Sequence, residues 1–308
     1  MAVVLLGPQR FRPSVRNTIR SLAPDGPVAT VTAGWREREP DDTELDGLLD
    51  GRSINLGLYG RWLDVHERDP ELAAAVRRRD DVLDELQSVY ILWLDHALAA
   101  VTELVVRDFR AQIAATAIDD TIQALRDIDR RHLERVSEVR DEFYAQWQPH
   151  ERPAVAEHRA AVAGILGECA AVTIAGGHVG ALLGCLALFD VAPALVDTTV
   201  VGWSAGAMAL TDKVVLFNDR SPDGRSYAEV YRRGLGLCRR VVALPHARRR
   251  LLLDDPVRMS VFARRFAPAR CVVLDDGVRL DCADGELPHG TRVLTSDGRV
   301  EDLAEVSA

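Results

Sequence analysis

Lysine is almost absent from this sequence, which also has few cysteines, no internal repeats and no long hydrophobic runs in its pattern. Lys213 is the only lysine, so nearly all of the positive charge is arginine, which indicates the codon bias of a GC-rich genome. Acidic residues outnumber basic ones, and a formal net charge of −9 disfavours nucleic acid as the main partner. The chain also has no internal repeat and no low-complexity segment.

Cysteine is scarce, and its spacing follows no motif. The five cysteines are odd in number, include no C-x-x-C pair, and several lie in apolar runs, as buried free thiols do. They are Cys169, Cys185, Cys238, Cys271 and Cys282. We therefore expect a reduced, cytoplasmic protein, with Cys185 in the core.

Long hydrophobic runs are missing from the sequence pattern too. The apolar stretch 1–7 is too short for a signal peptide and lacks a basic leader. No other apolar run approaches the length that a membrane span needs. The pattern predicts a soluble protein with no membrane partner.

The alternation of strand-like and helix-like segments predicts an α/β fold. Residues 2–6 and 27–32 are short apolar strands, and residues 13–22 between them form a helix, which is the start of a β-α-β unit. The same alternation resumes after residue 150. We expect a mostly parallel sheet flanked by helices.

Between these two parts the periodicity changes. Over residues 60–150, apolar residues recur at intervals of three, four and seven, which predicts two long amphipathic helices. We expect a discontinuous α/β core (1–59 and 151–308) and a helical insertion (60–150) that forms an antiparallel hairpin, a cap or a homodimer surface. His66, His96 and His132 lie in this insertion without metal-ligand spacing, so no metal is expected.

The segment 199–208 predicts a nucleophile elbow. A β-branched apolar run leads into Gly202-Trp203-Ser204-Ala205-Gly206, and small helix-forming residues follow. In such an elbow the two glycines avoid crowding, and the serine stands at the tip of a sharp strand-to-helix turn. The motif favours Ser204 as a nucleophile.

A serine nucleophile needs a base and an orienting carboxylate. His246 follows the predicted strand 238–244 and is favoured over His289, which lies near a surface turn. Asp219 is the favoured acid, and Asp276, in a turn between two strands, is the alternative.

Backbone amides beside the serine complete the predicted site. The amides of Ala205 and Gly177 are expected to form the oxyanion hole, because Gly176-Gly177 ends the neighbouring strand. Gly176, His178 and Trp203 are expected to contact the substrate.

These motifs together resemble a known family. The resemblance is carried by Gly-Trp-Ser-Ala-Gly-Ala at 202–207, Asn218-Asp219, Pro245-His246 and the strand that ends in Gly-Gly. In this combination the chain resembles the peptidase E and cyanophycinase family, serine peptidases on the class I glutamine amidotransferase-like, flavodoxin-like fold. The resemblance spans about residues 170–280 and leaves out the insertion.

The resemblance implies a role for individual residues. The family's nucleophile falls on Ser204, its histidine on His246 and its acid on Asp219, while a glutamate that has also been considered as the acid falls on Asp276. His178 is a departure, because the family usually has a small polar residue there. The resemblance implies cleavage of a small peptide-like substrate without a cofactor.

Two other functions remain open from the sequence. The fold could serve as a catalytically inactive binding or assembly module that works through the helical insertion. An α/β-hydrolase esterase also uses Gly-x-Ser-x-Gly, but it usually places its acid and histidine further along the chain. A serine peptidase or amidase that forms an acyl-enzyme is the favoured prediction.

Overall fold

The computed structural model describes residues 2–220, 227–282 and 287–303. The strands in this part of the chain are β1 (Val3–Leu6), β2 (Val28–Val31), β3 (Ser53–Asn55), β4 (Ala171–Ile174), β5 (Thr199–Trp203), β6 (Lys213–Leu216), β7 (Glu229–Arg233), β8 (Val241–Pro245), β9 (Arg270–Leu274), β10 (Arg279–Cys282), β11 (Arg292–Leu294) and β12 (Val300–Asp302). The helices are α1 (Val15–Leu22), α2 (Thr43–Leu48), α3 (Leu58–Arg68), α4 (Pro70–Val106), α5 (Ala111–Trp147), α6 (Pro153–Glu168), α7 (Val179–Leu188), α8 (Ala192–Leu195), α9 (Ala205–Leu210), α10 (Ala247–Arg250) and α11 (Pro256–Phe266).

A mostly parallel six-stranded sheet forms the centre of the fold, as predicted. Its order is β10-β1-β5-β4-β2-β3, and only β10, at the edge, runs antiparallel to its neighbour. All residues of β1, β2 and β4 are buried, because helices cover both faces of the sheet. The carboxyl ends of β1, β5, β4 and β2 therefore meet at one edge, where α/β proteins place their sites.

Apart from β10, the strands after β5 do not extend this sheet. They form a second sheet of order β12-β11-β9-β8, in which β8 and β9 are parallel, and β6 pairs with β7 in a separate hairpin. The central sheet has no free edge beside β1, because β10 pairs there. We did not predict β7 from the sequence, because three of its five residues are charged and only Val230 is buried.

The long helices α4 and α5 form a hairpin joined by residues 107–110. Each has 37 residues, which corresponds to a length of about 55 Å. Asp69 caps the start of α4 by accepting a hydrogen bond from the amide of Leu72 at 2.9 Å. Gln148 ends α5 with a left-handed backbone (φ 41°), and Pro149 follows it.

The middle of this hairpin packs against the second sheet and α11. A buried cluster combines side chains from the hairpin with others from β7, β8, β9 and α11, and its members include Tyr90, Leu94, Leu125, Val230, Val242, Phe262 and Phe266. The two long helices thus cover an apolar face that the second sheet alone would expose.

A buried ion pair fastens the hairpin to α11. Arg265 donates to both oxygens of Asp129, at 2.6 and 2.7 Å, and also to the hydroxyl of Tyr90 and the carbonyl of Ala228. Tyr90 in turn donates to Asp129 and accepts from the amide of Val230. Burial alone would lower the pKa of Arg265, but Asp129 and Tyr90 more than offset that effect and raise it. The guanidinium therefore stays charged.

By length and composition, α4 could also cross a membrane. Among the described residues it is the one helix that passes this test, with an 18-residue window of mean hydropathy 1.6, of which 22% is buried. The expectation that no apolar run reaches spanning length is therefore wrong for α4. The 18-residue window contains at most two charged residues, and the helical spacing of its apolar residues indicated an amphipathic helix instead of a continuous run.

A disulfide overturns part of the cysteine prediction. Cys238 and Cys282 are bonded, with Cα atoms 5.6 Å apart, whereas Cys169, Cys185 and Cys271 are free. Their wide separation in sequence gave no sign of this pairing, because the fold alone brings the start of β8 to the end of β10. The inference of a cytoplasmic location from five free thiols therefore loses its basis. Cys185 is buried in the core, as expected.

We expect Asp129→Asn to destabilise the protein by about 3–5 kcal/mol, because it leaves the buried Arg265 without its counter-charge. Urea unfolding followed by circular dichroism measures the change. Glu134→Gln is the matched control, since it breaks an exposed ion pair with Arg130 on the same helix and should leave the unfolding midpoint unchanged. Equal midpoints for Asp129→Asn and the wild type would contradict this role of the pair.

Candidate active site

Ser204 lies at a strained turn between β5 and α9. Its backbone has φ 52° and ψ −119°, a conformation that is costly for a residue with a side chain and is characteristic of a nucleophile elbow. A side chain at Gly206 would collide with the carbonyl oxygen of Ile174, and a Cβ at Gly202 would lie 2.7 Å from Leu210. The two glycines of the motif are thus required by close packing around the turn.

His246 meets the serine from the second sheet. It follows β8 directly with a left-handed backbone (φ 57°), and its amide donates to the carbonyl of Leu274 at 3.2 Å. The distance between Ser204 Oγ and His246 Nε2 is 3.3 Å. A catalytic hydrogen bond is often this long without substrate and tightens when substrate binds. His289, the less favoured base, lies on an exposed turn.

The Gly-Gly turn after β4 lies against the serine. A Cβ at Gly176 would be 2.7 Å from the Cβ of Ser204 and 3.6 Å from the amide nitrogen of Ala205. Gly177 has φ 113°, and a side chain there would collide with the carbonyl of Gly34. Only glycine fits at either position.

Two amides beside the serine have no hydrogen-bond partner. No described residue accepts from the amide of Gly177 or of Ala205, whereas the next amide, that of His178, donates to Gly34 at 2.7 Å. Ala205 is the first residue of α9, where amides lack partners within the helix. The two amides can therefore donate to an oxyanion.

The structure does not bring the favoured acid to the histidine. The carboxylate of Asp219 accepts two hydrogen bonds from Arg258, at 2.8 and 3.1 Å, and one from the amide of Leu252 at 3.1 Å. Its side chain is only 2% exposed. Arg258, in the first turn of α11, thus binds the Asp219 carboxylate that we predicted to orient His246. Asp219 instead links the segment after β6 to α11.

The alternative acid lies in the turn after β9. Asp276 is exposed, and its neighbour Asp275 forms an ion pair with Arg248 at 3.3 Å. Both carboxylates act on the imidazole of His246 through their charge. No described residue, however, forms a hydrogen bond with His246 Nδ1.

Burial and nearby charges keep His246 neutral. Burial lowers its pKa most, the guanidiniums of Arg250 and Arg249 lower it further, and Asp276 and Asp275 oppose the shift. A depressed pKa leaves the imidazole unprotonated at neutral pH, which is the form that accepts a proton from a serine. Activity that depends on this imidazole should fall as the pH drops through the lowered pKa.

A cavity of about 1,090 Å³ opens above the serine and the histidine. Aromatic and charged side chains of both signs line it, among them Arg10, Trp35, Arg38, Asp41, Glu44, Trp203, Tyr227, Glu229, Tyr231 and Arg250. A cavity of this size accommodates a short peptide. The mixture of charges gives no clear preference for an acidic or a basic substrate.

The residues expected to contact substrate all line this cavity. Gly176, His178 and Trp203 are among its walls, although Trp203 is mostly buried. The ring of His178 also accepts from the amide of Ala181 at 3.1 Å, so it caps α7. Tyr227 and Tyr231 were not predicted as site residues, because no pattern in the amino-acid sequence indicated that β7 lies beside the elbow.

No group of three or more metal-ligating side chains is found among residues 2–220, 227–282 and 287–303.

No protein-family model matches this chain, and no curated protein matches it either. Among solved structures, it is similar to a peptidase from an acI-B1 Actinobacterium, with 13% sequence identity and a TM-score of 0.46 over 99% of this chain and 95% of the other. That activity is known of the other protein alone.

We expect charge substitutions to move the pKa of His246 in opposite directions. Arg250→Gln should raise it by removing a repulsive charge, and Asp276→Asn should lower it by removing an attractive one. NMR titration of the imidazole Cε1 proton measures both shifts. Asp219→Asn is the control, since that carboxylate is bound to Arg258 and should leave the titration unchanged. Shifts of the same sign for Arg250→Gln and Asp276→Asn would contradict this electrostatic arrangement.

Proposed function

We propose that this protein is a serine hydrolase that cleaves a small peptide-like or amide substrate through an acyl-enzyme. The observation that carries the proposal is the 3.3 Å contact between Ser204 Oγ and His246 Nε2 at a strained elbow. The unpartnered amides of Gly177 and Ala205 support it, because an acyl-transfer site needs donors at the developing oxyanion.

The proposed reaction uses these groups in two steps. Ser204 Oγ attacks the substrate carbonyl carbon while His246 Nε2 takes the hydroxyl proton, and the negative charge on the carbonyl oxygen is stabilised by the two amides. The imidazolium then gives its proton to the leaving nitrogen as the C–N bond breaks. Water attacks the acyl-enzyme with the same proton transfers and regenerates Ser204.

For the acid, we propose Asp276 as the carboxylate that stabilises the imidazolium, with Asp275 beside it. The support is electrostatic, since both raise the pKa of His246 whereas Asp219 is occupied by Arg258. The acid would then act on the imidazole through its charge, without the hydrogen bond to Nδ1 found in a Ser-His-Asp triad. We assign Asp219 a structural role between β6 and α11.

The finer family assignment also belongs to this proposal. Motifs around Ser204 and His246 resemble the peptidase E and cyanophycinase family, which has the class I glutamine amidotransferase-like fold. The parallel sheet with the serine at the end of β5 is compatible with that fold. The chain departs from the family at His178 and in the α4–α5 hairpin, so its substrate preference need not be the same.

A fluorophosphonate probe tests the proposed nucleophile. The wild type should be labelled covalently, Ser204→Ala should lose all labelling, and His246→Ala should react about 10²–10⁴-fold more slowly for want of its general base. Intact-protein mass spectrometry measures the modification. Ser260→Ala is the matched control, because the hydroxyl of this partly exposed serine bonds to the carbonyl of Ser296 and to no histidine among the described residues, and it should label like the wild type. Equal labelling of Ser204→Ala would refute the assignment.

We keep assembly through the insertion as a second candidate function. Large apolar side chains are exposed in the half of the hairpin that contains the connection between α4 and α5, among them Leu92, Val106, Phe109 and Ile113. Exposed apolar patches mark interaction sites, and we propose that these side chains form one. We expect a homodimer by sedimentation velocity, which Val106→Glu should dissociate; a monomer at all concentrations would contradict this prediction.

A further inference from the structure

Three arginines meet where the base of the hairpin packs against β7. Arg79 lies on α4, Arg140 on α5 and Arg232 on β7. The guanidinium of Arg79 is stacked over the ring of Phe143, at 4.6 Å from its centroid, and Phe143 lies one turn beyond Arg140. Arg79 is thus held against the helix that carries Arg140.

The same part of α5 also contacts β7. Arg233 Nε lies 3.3 Å from Ser137 Oγ, and Ser137 precedes Arg140 by one turn. Arg232 precedes Arg233 on β7, and its guanidinium lies close enough to Arg140 and Arg79 for their charges to act on it. We call Arg79, Arg140 and Arg232 the arginine cluster.

The guanidiniums of two members of the arginine cluster have no partner in the described part of the chain. No described residue forms a hydrogen bond or an ion pair with the side chain of Arg140 or of Arg232, and the Nε of Arg140 is fully buried without an acceptor. The carboxylate that acts on Arg140 is that of Asp80, which is half exposed and already bound to Arg79 at 2.7 Å, and no carboxylate acts on Arg232 among the described residues. Three positive charges against one negative charge leave an excess of about two.

This excess is energetically unfavourable in the protein alone. Burial, with repulsion from Arg140 and Arg79 as a further cause, lowers the pKa of Arg232 to about 9. Burial and Arg79 lower the pKa of Arg140 as well. Buried charges in folded proteins are normally paired, and an unpaired one is costly.

Arg265 is a buried arginine with a structural role, and it allows a comparison with the arginine cluster. That guanidinium has a bidentate carboxylate, a tyrosine hydroxyl and a carbonyl as acceptors, and its pKa is raised. Arg140 and Arg232 have none of these acceptors. The contrast indicates that the counter-charge of the arginine cluster comes from outside the chain.

We propose that Arg79, Arg140 and Arg232 bind a phosphate group, either as free phosphate or as part of a phosphorylated ligand. A phosphate carries a charge of about −1.5 to −2 at neutral pH, which matches the excess of the cluster. Its oxygens suit the planar fork of arginine, which binds phosphate in a bidentate manner. The side chains of Tyr144 and Tyr231 lie near Arg140 and Arg232, and their hydroxyls are further hydrogen-bond donors.

Tyr231 connects this phosphate site to the cavity above Ser204. It lines that cavity, and a Cβ at Gly180 would lie 2.7 Å from its hydroxyl. A phosphate at the arginine cluster therefore lies next to the cavity wall, where it can belong to a bound substrate or act as a separate effector. The binding site itself does not depend on the proposed hydrolase activity.

Isothermal titration calorimetry with inorganic phosphate tests the site on the full chain at constant ionic strength. The wild type and Ser204→Ala should both bind phosphate saturably, one per chain, so the result is independent of the proposed nucleophile. Arg232→Gln and Arg140→Gln should each weaken binding about tenfold or more, since each loses charged hydrogen bonds. Arg233→Gln, an exposed neighbour on the same strand, should bind like the wild type. Absence of saturable binding to the wild type, or equal binding by Arg232→Gln, would overturn the proposal.

Thermal unfolding without phosphate separates a ligand site from a structural role. Arg232→Gln should unfold at the wild-type temperature or above it, because the substitution relieves repulsion within the arginine cluster. A lower midpoint for both Arg232→Gln and Arg140→Gln would assign these arginines to structure and contradict the proposal.

Protein in which the fluorophosphonate probe has blocked Ser204 shows whether the phosphate belongs to a substrate or to a separate effector. If inorganic phosphate binds equally before and after Ser204 is blocked, the cluster is a separate effector site. If a phosphoserine peptide binds at least tenfold more tightly than inorganic phosphate and the blocked protein loses that gain, the phosphate belongs to the substrate. Either result supports phosphate binding at the arginine cluster.

Discussion

The candidate site depends on the close approach of two backbone turns that leave no room for a side chain. The Gly-Gly turn after β4 touches Ser204, and the elbow after β5 touches the carbonyl of Ile174 through Gly206. Because these turns pack without side chains between them, the strained conformation of Ser204 is held in place. The same contact places the Gly-Gly turn beside the side chain of Ser204 and the amide of Ala205.

The second constraint is the relative position of the two sheets. Ser204 comes from the central sheet and His246 from the second, so the distance between Oγ and Nε2 depends on how these sheets meet. The disulfide between Cys238 and Cys282 links the start of β8 to the edge strand of the central sheet. The buried pair of Arg265 and Asp129 further holds the long hairpin against the second sheet.

Local patterns were enough to predict the parts of the site that lie within one turn of chain. The elbow motif predicted the strand, the turn and the helix around Ser204, and a histidine after an apolar strand indicated where His246 lies. These features depend on short-range sterics and on the rule that parallel strands end at one edge. The mostly parallel α/β fold followed from the same periodicity.

Long-range contacts explain what the sequence did not predict. Asp219 is bound by Arg258, 39 residues further along the chain, and nothing near Asp219 indicates that competitor. The pairing of Cys238 with Cys282 and the place of β7 beside the elbow also depend on tertiary packing. The arginine cluster brings together three elements that are 61 and 92 residues apart in sequence (79 to 140, and 140 to 232), so only the fold shows its excess charge.

A crystal structure of the fluorophosphonate adduct tests the central claim most directly, because the phosphonyl group imitates the tetrahedral intermediate. The account predicts phosphorus bonded to Ser204 Oγ and a phosphonyl oxygen within about 2.7–3.1 Å of the amide nitrogens of Gly177 and Ala205. It also predicts His246 Nε2 within hydrogen-bond distance of the serine oxygen. An adduct on another residue, or an oxygen that points away from both amides, would contradict it.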